Sequence, residues 1–414
     1  MDTKTMDTNG HANGHSPLDG IRILDCSIFQ NGPFSTVLLS DMGAEVIKIE
    51  DPVKGDPGRS VRLTGKAAKL GVNTYFETMN RNKKAITLNL KHPKGREAFY
   101  KMVKKADVVV QNFTLGVAEK LGIDYESLRK VNPRIIRAAN TGFGHRGPDA
   151  DMRVLDGIGQ ARSGFTYLMS DPDGTPANTG PLGLADQTGA IMLAYAISMA
   201  LLARERFGVG QNVETSQLGS MMTLQALGIH KWTVSEEQGR RTQRTVATNP
   251  VSNTYRGSDG KWLCIMAPQA DLYWPTVAKV AGRDDLLEDP RFSSIEARMK
   301  HSRELIALLD EAFAKRPIKE WIAELRKQKV PVGPVQNYAD LTADPQCIAN
   351  EYLVKVPHPA AGELLQVGVT PYLSKTPGRA RHSAPEYGQH TEEVLLEHGY
   401  TWQDIEKMRT EGAI

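Results

Sequence analysis

At 414 residues the chain is two to three times the size of a common single domain, so two domains and a sizeable core are expected. Its 51 Lys and Arg against 48 Asp and Glu leave a net charge of +3, too small a field for non-specific binding to a phosphate backbone, and nucleic acid is not expected as a partner. Cys26, Cys264 and Cys347 are odd in number, far apart and without metal-ligand spacing, which argues against a disulfide framework and fits a reducing cytoplasm.

Residues 1–17 are polar and Gly-containing, with neither an apolar central stretch nor a basic leader, and read as a disordered tail rather than a targeting segment. His11 and His15 there read as solvated chain, and no metal site is expected anywhere in the sequence. Ile21–Asp25 predicts a short strand, Asn31-Gly32-Pro33 a break, Phe34–Met42 a helix and Glu45–Glu50 an alternating strand, together a βαβ unit. Further strands are predicted at Ala85–Leu90, Asp107–Val110 and from Ile135-Ile136, with a helix over Gly95–Lys105. Strands alternating with helices predict an α/β fold around a largely parallel sheet covered on both faces. Ala190–Ala203 is an apolar run of 14 residues, short of the roughly 20 that cross a bilayer, and reads as a buried helix; no membrane association is expected.

A helical stretch over Thr215–Trp232 leads into a smaller α+β region. It holds a hairpin within Asn249–Pro268 and helices at Leu272–Val280, Ser302–Ala314 and Ile318–Gln328. Strand signals such as Glu363–Val367 then give way to closing helices at Thr391–His398 and Trp402–Arg409.

The chemistry is constrained mainly by what is missing. The first βα turn, Phe29–Pro33, has no glycine fingerprint, and the one G-x-G-x-x-G match, Gly142–Gly147, runs into Pro148 where a dinucleotide motif should open an apolar helix. No P-loop, H-E-x-x-H, C-x-x-C or G-x-S-x-G occurs, so nicotinamide, ATP, metal-hydrolase and serine-elbow readings lose their support. Pro33 suits an early helical position, and Asn31-Gly32-Pro33 reads equally as a helix start or a ligand contact. One carboxylate invites a nucleophilic reading: Asp186, framed by small residues in Gly183–Gly189 directly before the long apolar helix. The same residue reads as a helix N-cap, worth about 0.5 to 2 kcal/mol, and taken alone its context favours the cap. Arg59, Arg81, Lys83, Lys84, Lys91 and Lys120 read either as a phosphate-holding set or as solvated surface charge.

Several stretches, in order along nearly the whole chain, resemble the class III coenzyme A transferases of the CaiB/BaiF type. They are Gln30–Pro33, Leu38–Glu50, Gly55–Arg59, Asn80–Lys83, Ala106–Phe113, Asn132–Ile136, Thr141–Gly144, Ala185–Gly189 and Gly388–Leu395. The resemblance implies a large Rossmann-like α/β domain built from both chain ends, 18–225 and 340–414, with a small α+β domain at 226–339 and an interlocked homodimer. It implies a cytoplasmic enzyme that moves coenzyme A from an acyl-CoA to a free carboxylic acid, the thioester being a substrate and no cofactor being permanently bound.

In that family Asp186 falls on the nucleophile. Its carboxylate would attack the donor thioester to give a mixed anhydride, and the thiolate would then attack the enzyme side to leave an aspartyl-CoA thioester. Backbone N–H groups at the start of the Asp186 helix are expected to face developing oxyanions. Gln30 matches a polar partner of the reacting carboxylates; Leu88, Lys91, Asn112, Phe113, Lys120 and Leu121 match positions that hold coenzyme A, and Arg59 joins them. For Leu88, Phe113 and Leu121 ordinary core packing is an equal reading.

Two departures stand out. The glycine run of the formyl-CoA transferase branch is absent from Asn249–Asp259, and no histidine stands beside Asp156, so the two-base pair of the racemase branch is incomplete. An isomerase-type member, either a racemase or an enzyme moving coenzyme A within one dicarboxylate, is the alternative.

Overall fold

The computed structural model describes residues 15–171, 173–177, 183–239 and 241–414. The tail expected over 1–17 lies outside the described residues as far as residue 14, and beyond it the Ser16 N–H bonds Asp19 at 2.7 Å. The chain divides into two compact units. One comprises the described residues within Met1–Thr166, Asn178–Gln238 and Ala349–Ile414, the other those within Tyr167–Ala177 and Gly239–Ile348.

The first unit is built on six parallel strands: β1 (Arg22–Asp25), β2 (Glu45–Glu50), β3 (Lys83–Thr87), β4 (Val108–Gln111), β5 (Ile136–Thr141) and β6 (Gln211–Ser216). Their order is β3-β2-β1-β4-β5-β6, the doubly wound arrangement in which the order of strands reverses between β1 and β4. Strand side chains alternate between two cores. Ile23, Val46, Val108, Val110 and Ile136 face Leu193 and Ile197, whereas Leu24, Ile47 and Val109 face Phe99 and Met102. The closing helices Thr391–Glu397 and Trp402–Thr410 add Val394, Leu395, Ile405 and Met408 to the second of these cores, so both chain ends build this unit.

Three elements differ from the sequence expectation. β6 was not expected as a strand, because Gln-Asn-Val-Glu-Thr-Ser is a polar edge strand with a single apolar residue; its last two residues overlap the stretch expected to be helical, and the helices after it are Gln217–Leu224 and Ala226–Ser235. β3 begins two residues earlier than expected, at Lys83, whose ammonium is wholly buried. The apolar helix runs over Leu184–Phe207, 24 residues, bounded by Gly183 and Gly208 in left-handed conformations (φ 63° and 74°). That is long enough to cross a bilayer, but Leu193, Ala194, Ile197, Ala200 and Leu201 are packed against the sheet.

Polar groups are buried beneath the β1–β3 end of the sheet. The Lys83 ammonium meets Asp25 Oδ2 at 2.9 Å and Lys48 meets Asp56 Oδ2 at 2.7 Å. Lys48 also donates to Ser27 O at 3.0 Å and Lys83 to Pro33 O at 2.9 Å, so the two lysines fasten both ends of the loop that follows β1. Burial opposes ionisation of Asp25, but Lys83 and Lys48 outweigh it and hold the carboxyl well below its usual range.

In the second unit, β7 (Ser252–Arg256), β8 (Trp262–Met266) and β9 (Val332–Val335) form an antiparallel sheet. It packs Tyr255, Leu263 and Ile265 against Trp274, Phe313 and Trp321. The first unit also carries a hairpin of β10 (Leu353–His358) and β11 (Gly362–Val367).

Candidate active site

Parallel α/β sheets place their ligands at the carboxyl ends of the strands, where loops diverge and helices begin. Here those ends deliver one residue each to a common point. Asn31 opens the helix Asn31–Asp41 after β1, Asn112 follows β4, Gln217 follows β6, and Asp186 lies in the first turn of the 184–207 helix.

Asp186 is the centre. Its Oδ1 accepts from Asn31 Nδ2 at 3.0 Å and from Gln217 Nε2 at 2.5 Å, while no described group bonds Oδ2. Asn31 Oδ1 in turn accepts from Asn112 Nδ2 at 3.1 Å, and Asn112 is clamped to the Ile28 backbone through both ends of its amide.

Asp186 does not cap its helix. The N-cap is Gly183, and the capping carboxylate comes from elsewhere: Asp156 Oδ1 accepts from the N–H groups of Ala185 at 2.7 Å and Asp186 at 3.1 Å. Asp156 Oδ2 takes Gln160 Nε2 at 2.5 Å. Two of the N–H groups expected to face an oxyanion are therefore already engaged, because a carboxylate at a helix N-terminus satisfies the same donors. Gly159 permits this approach; a Cβ there would stand 2.8 Å from Gln217 Oε1 and 3.0 Å from Ala185 Cβ.

Burial, with a contribution from the Asp156 charge, raises the Asp186 carboxyl, and the two amide donors pull the other way; the result is a carboxyl pushed up to about 6. Only the ionised form is a nucleophile. Were Asp186 the reacting carboxylate, activity at limiting substrate would fall as pH drops through about 6, leaving under a tenth of its plateau at pH 5; a plateau persisting unchanged to pH 5 contradicts that role.

Other sequence-indicated residues fall around this centre in different ways. Gln30 is the N-cap of the 31–41 helix, and its amide lies against Gly183, where a Cβ would stand 2.0 Å from Nε2. Among the described residues the amides that reach the Asp186 carboxylate are those of Asn31 and Gln217. Phe113 and Leu121 are partly buried against the core shared with Phe99, and Leu88 is inside it. Lys91 and Lys120 are exposed. Arg59 is held in a fork by Glu50 (2.8 and 2.7 Å), bonds Pro385 O at 3.1 Å and stacks 3.8 Å from the Phe76 ring.

Gln217 was not legible as a site residue, since it was read as part of a helix with no motif around it. Tyr75 also lies close: burial and then the charges of Asp186 and Asp56 push its phenol upward, keeping it protonated. Among the described residues no cluster of three metal-ligating side chains occurs.

Comparison with known proteins agrees over almost the full chain. The model of CoA-transferase family III matches residues 18–391. An acyl-CoA transferase of Fusarium pseudograminearum is 34% identical over 96% of this chain and 88% of its own length. A succinyl-CoA–D-citramalate CoA-transferase of Chloroflexus aurantiacus is 32% identical, covering 96% of this chain and 98% of its own. The crystal structure of a CAIB/BAIF family protein from Brucella suis superposes with a TM-score of 0.83 at 30% identity, covering 93% of this chain and all of that one.

Proposed function

Since the chain belongs to CoA-transferase family III, and so moves coenzyme A between an acyl-CoA and a carboxylic acid, we propose that it does this through a covalent intermediate on Asp186. The observation that carries the reading is the state of that carboxylate: half-buried, held at one oxygen by two amides, and bonded by no described group at the other. A carboxylate suits the task because exchange of acyl groups between carboxylates and a thiol is nearly energy-neutral, and a thioester substrate is already activated, so no resident cofactor is needed.

Asp186 Oδ2 attacks the donor carbonyl carbon and the C–S bond breaks, giving a mixed anhydride and CoA thiolate. The thiolate attacks Cγ, releasing the first acid and leaving aspartyl-CoA. The acceptor acid reverses both steps and departs as its CoA ester. Lys91 and Lys120, exposed and without acidic partners among the described residues, suit the phosphates of coenzyme A. Phe113, Leu121 and Asn112, following the end of β4, suit its pantetheine and adenosine. On the same reading Gln30 is the polar partner of the reacting carboxylates, and Leu88 and Arg59 complete the set that holds coenzyme A.

Transfer is favoured over α-proton exchange because both oxygens of Asp156 are taken by Ala185, Asp186 and Gln160. We further read the enzyme as a cytoplasmic homodimer. The 184–207 helix exposes Ile191, Tyr195, Met199 and Leu202 at helical spacing, and its outer face lines an apolar cavity of about 970 Å³ with the β10–β11 hairpin.

Mixing enzyme with an acyl-CoA donor and no acceptor, quenching rapidly in acid and mapping peptides by mass is expected to find coenzyme A on Asp186. Full-rate transfer with no such adduct under any productive donor would point to direct exchange.

A further inference from the structure

We propose that the side-chain amides of Asn31 and Gln217 form an oxyanion hole for the enzyme-side half of the reaction, the attack of CoA thiolate on Asp186 itself. The proposal rests on the aspartyl nucleophile and assigns the two oxygens of that residue different roles.

Both amides donate to the same atom, Oδ1, at 3.0 and 2.5 Å. Oδ2 is thereby the oxygen left to attack the donor acyl group. Once it has done so, it bridges the anhydride and Oδ1 becomes the carbonyl oxygen of the aspartyl half. When the thiolate sulfur bonds to Cγ, the Cγ=Oδ1 pair moves onto Oδ1. Collapse restores that double bond, breaks Cγ–Oδ2 and releases the first acid with Oδ2 as one of its carboxylate oxygens. Charge therefore develops at Oδ1 twice per cycle, once in each direction, on the atom the two donors already address. Preorganised donors aimed at the site of developing charge lower the barrier because they need not reorient as the reaction proceeds.

The orientation of these amides is set by their surroundings. Ile28 N–H can only donate, so the Asn112 oxygen that accepts it at 2.9 Å turns Asn112 Nδ2 toward Asn31 Oδ1. Asn31 Nδ2 is then left to point at Asp186. A backbone donor thus propagates its polarity through two amides to the nucleophile. Gln217 is 2% exposed at the start of its helix, and among the described residues its Oε1 has no hydrogen-bond partner. A buried amide that leaves its oxygen unsatisfied while its nitrogen bonds a reacting carboxylate contributes little to folding, and its placement is explained by the reaction.

The helix-start N–H groups of Ala185 and Asp186, the alternative source of such stabilisation, are held by Asp156. Side-chain amides take over that task.

Gln217→Leu keeps volume and orphans no other group; Asn31→Ala removes the second donor independently, so either variant carries the test. Each is expected to bind the acyl-CoA donor with unchanged Kd and to form aspartyl-CoA, measured by rapid quench and peptide mass, about 100-fold more slowly than the parent enzyme. Adduct formation within threefold of the parent in both variants would overturn the oxyanion hole while leaving the nucleophile in place. Absence of the adduct in the parent enzyme would overturn both readings.

A second readout follows the oxygens. With acceptor acid carrying heavy oxygen at both carboxylate positions, repeated turnover is expected to place one heavy atom in Asp186 of the parent enzyme, since Oδ1 is held. In Gln217→Leu and Asn31→Ala the carboxylate turns over and a second heavy atom follows. If the parent fills both positions as quickly as one, Oδ1 is not held and the proposal fails.

Discussion

Asp186→Asn is expected to abolish coenzyme A transfer, with a loss on the order of 10⁴-fold or more, while leaving the fold intact. The amide cannot form the anhydride, so catalysis should vanish with donor binding retained. Structurally the substitution is quiet. Asn is isosteric, and its Oδ1 still accepts from Asn31 and Gln217.

Its stability should rise. The folded-state carboxyl is held up to about 6 against an ordinary 3.8, so the penalty for an ionised Asp186 grows as pH rises through that interval and is complete above it. At pH 7.5 Asn removes that penalty, and a gain on the order of 1 kcal/mol in thermal or urea unfolding is expected. A variant with more than a few per cent of parental transfer rate would sink the nucleophile assignment. Asp186 sits two residues inside its helix and Asp156 does the capping, so loss of activity in the Asn variant cannot be traced to a lost cap.

Lys83→Met carries the largest expected effect on stability. The ammonium is fully buried and donates to Asp25 Oδ2, Pro33 O, Met79 O and Asn80 Oδ1, at 2.9, 2.9, 2.9 and 3.0 Å. Burial lowers its own titration to about 8, and the neighbouring Asp25 carboxylate keeps it from falling further. Methionine fills the space but strips the counter-charge from Asp25 and leaves three acceptors short of a donor. Removing one partner of a buried pair costs about 3 to 5 kcal/mol, more than the pair itself contributes, because the remaining charge is stranded.

Urea unfolding should register that loss, and adding Asp25→Asn should recover part of it in a double-mutant cycle. A single-variant cost below about 1 kcal/mol would show that the cluster tolerates an unpaired Asp25. Because Lys83 and Lys48 tether the loop carrying Asn31, the variant is also expected to lose activity at temperatures where it remains folded.

The residues spelled out much of this protein unaided. Ile21–Asp25, Glu45–Glu50 and Asp107–Val110 were legible as strands because each is buried on both faces of a parallel sheet and needs apolar residues locally. The resemblance to class III coenzyme A transferases was carried by short stretches in chain order, and the family match over 18–391 agrees with it; Asp186 as the nucleophile is the reading that resemblance implied.

What the local pattern could not disclose are contacts made by elements far apart in the chain. β6 escaped notice because an edge strand carries little apolar signal, and with it went Gln217, which follows that strand directly. Asn31 was visible only as a helix start or a ligand contact, and its partner lies 155 positions away. Asp186 looked like a cap from its neighbours, yet the cap is Asp156, 30 positions earlier, from a helix brought alongside by Gly159. Short-range propensity determines which segments are strands and helices. Only the order of strands in the sheet decides which of their carboxyl ends meet, and that meeting makes Asp186 a half-buried carboxylate with one oxygen held by two amides and the other bonded by no described group.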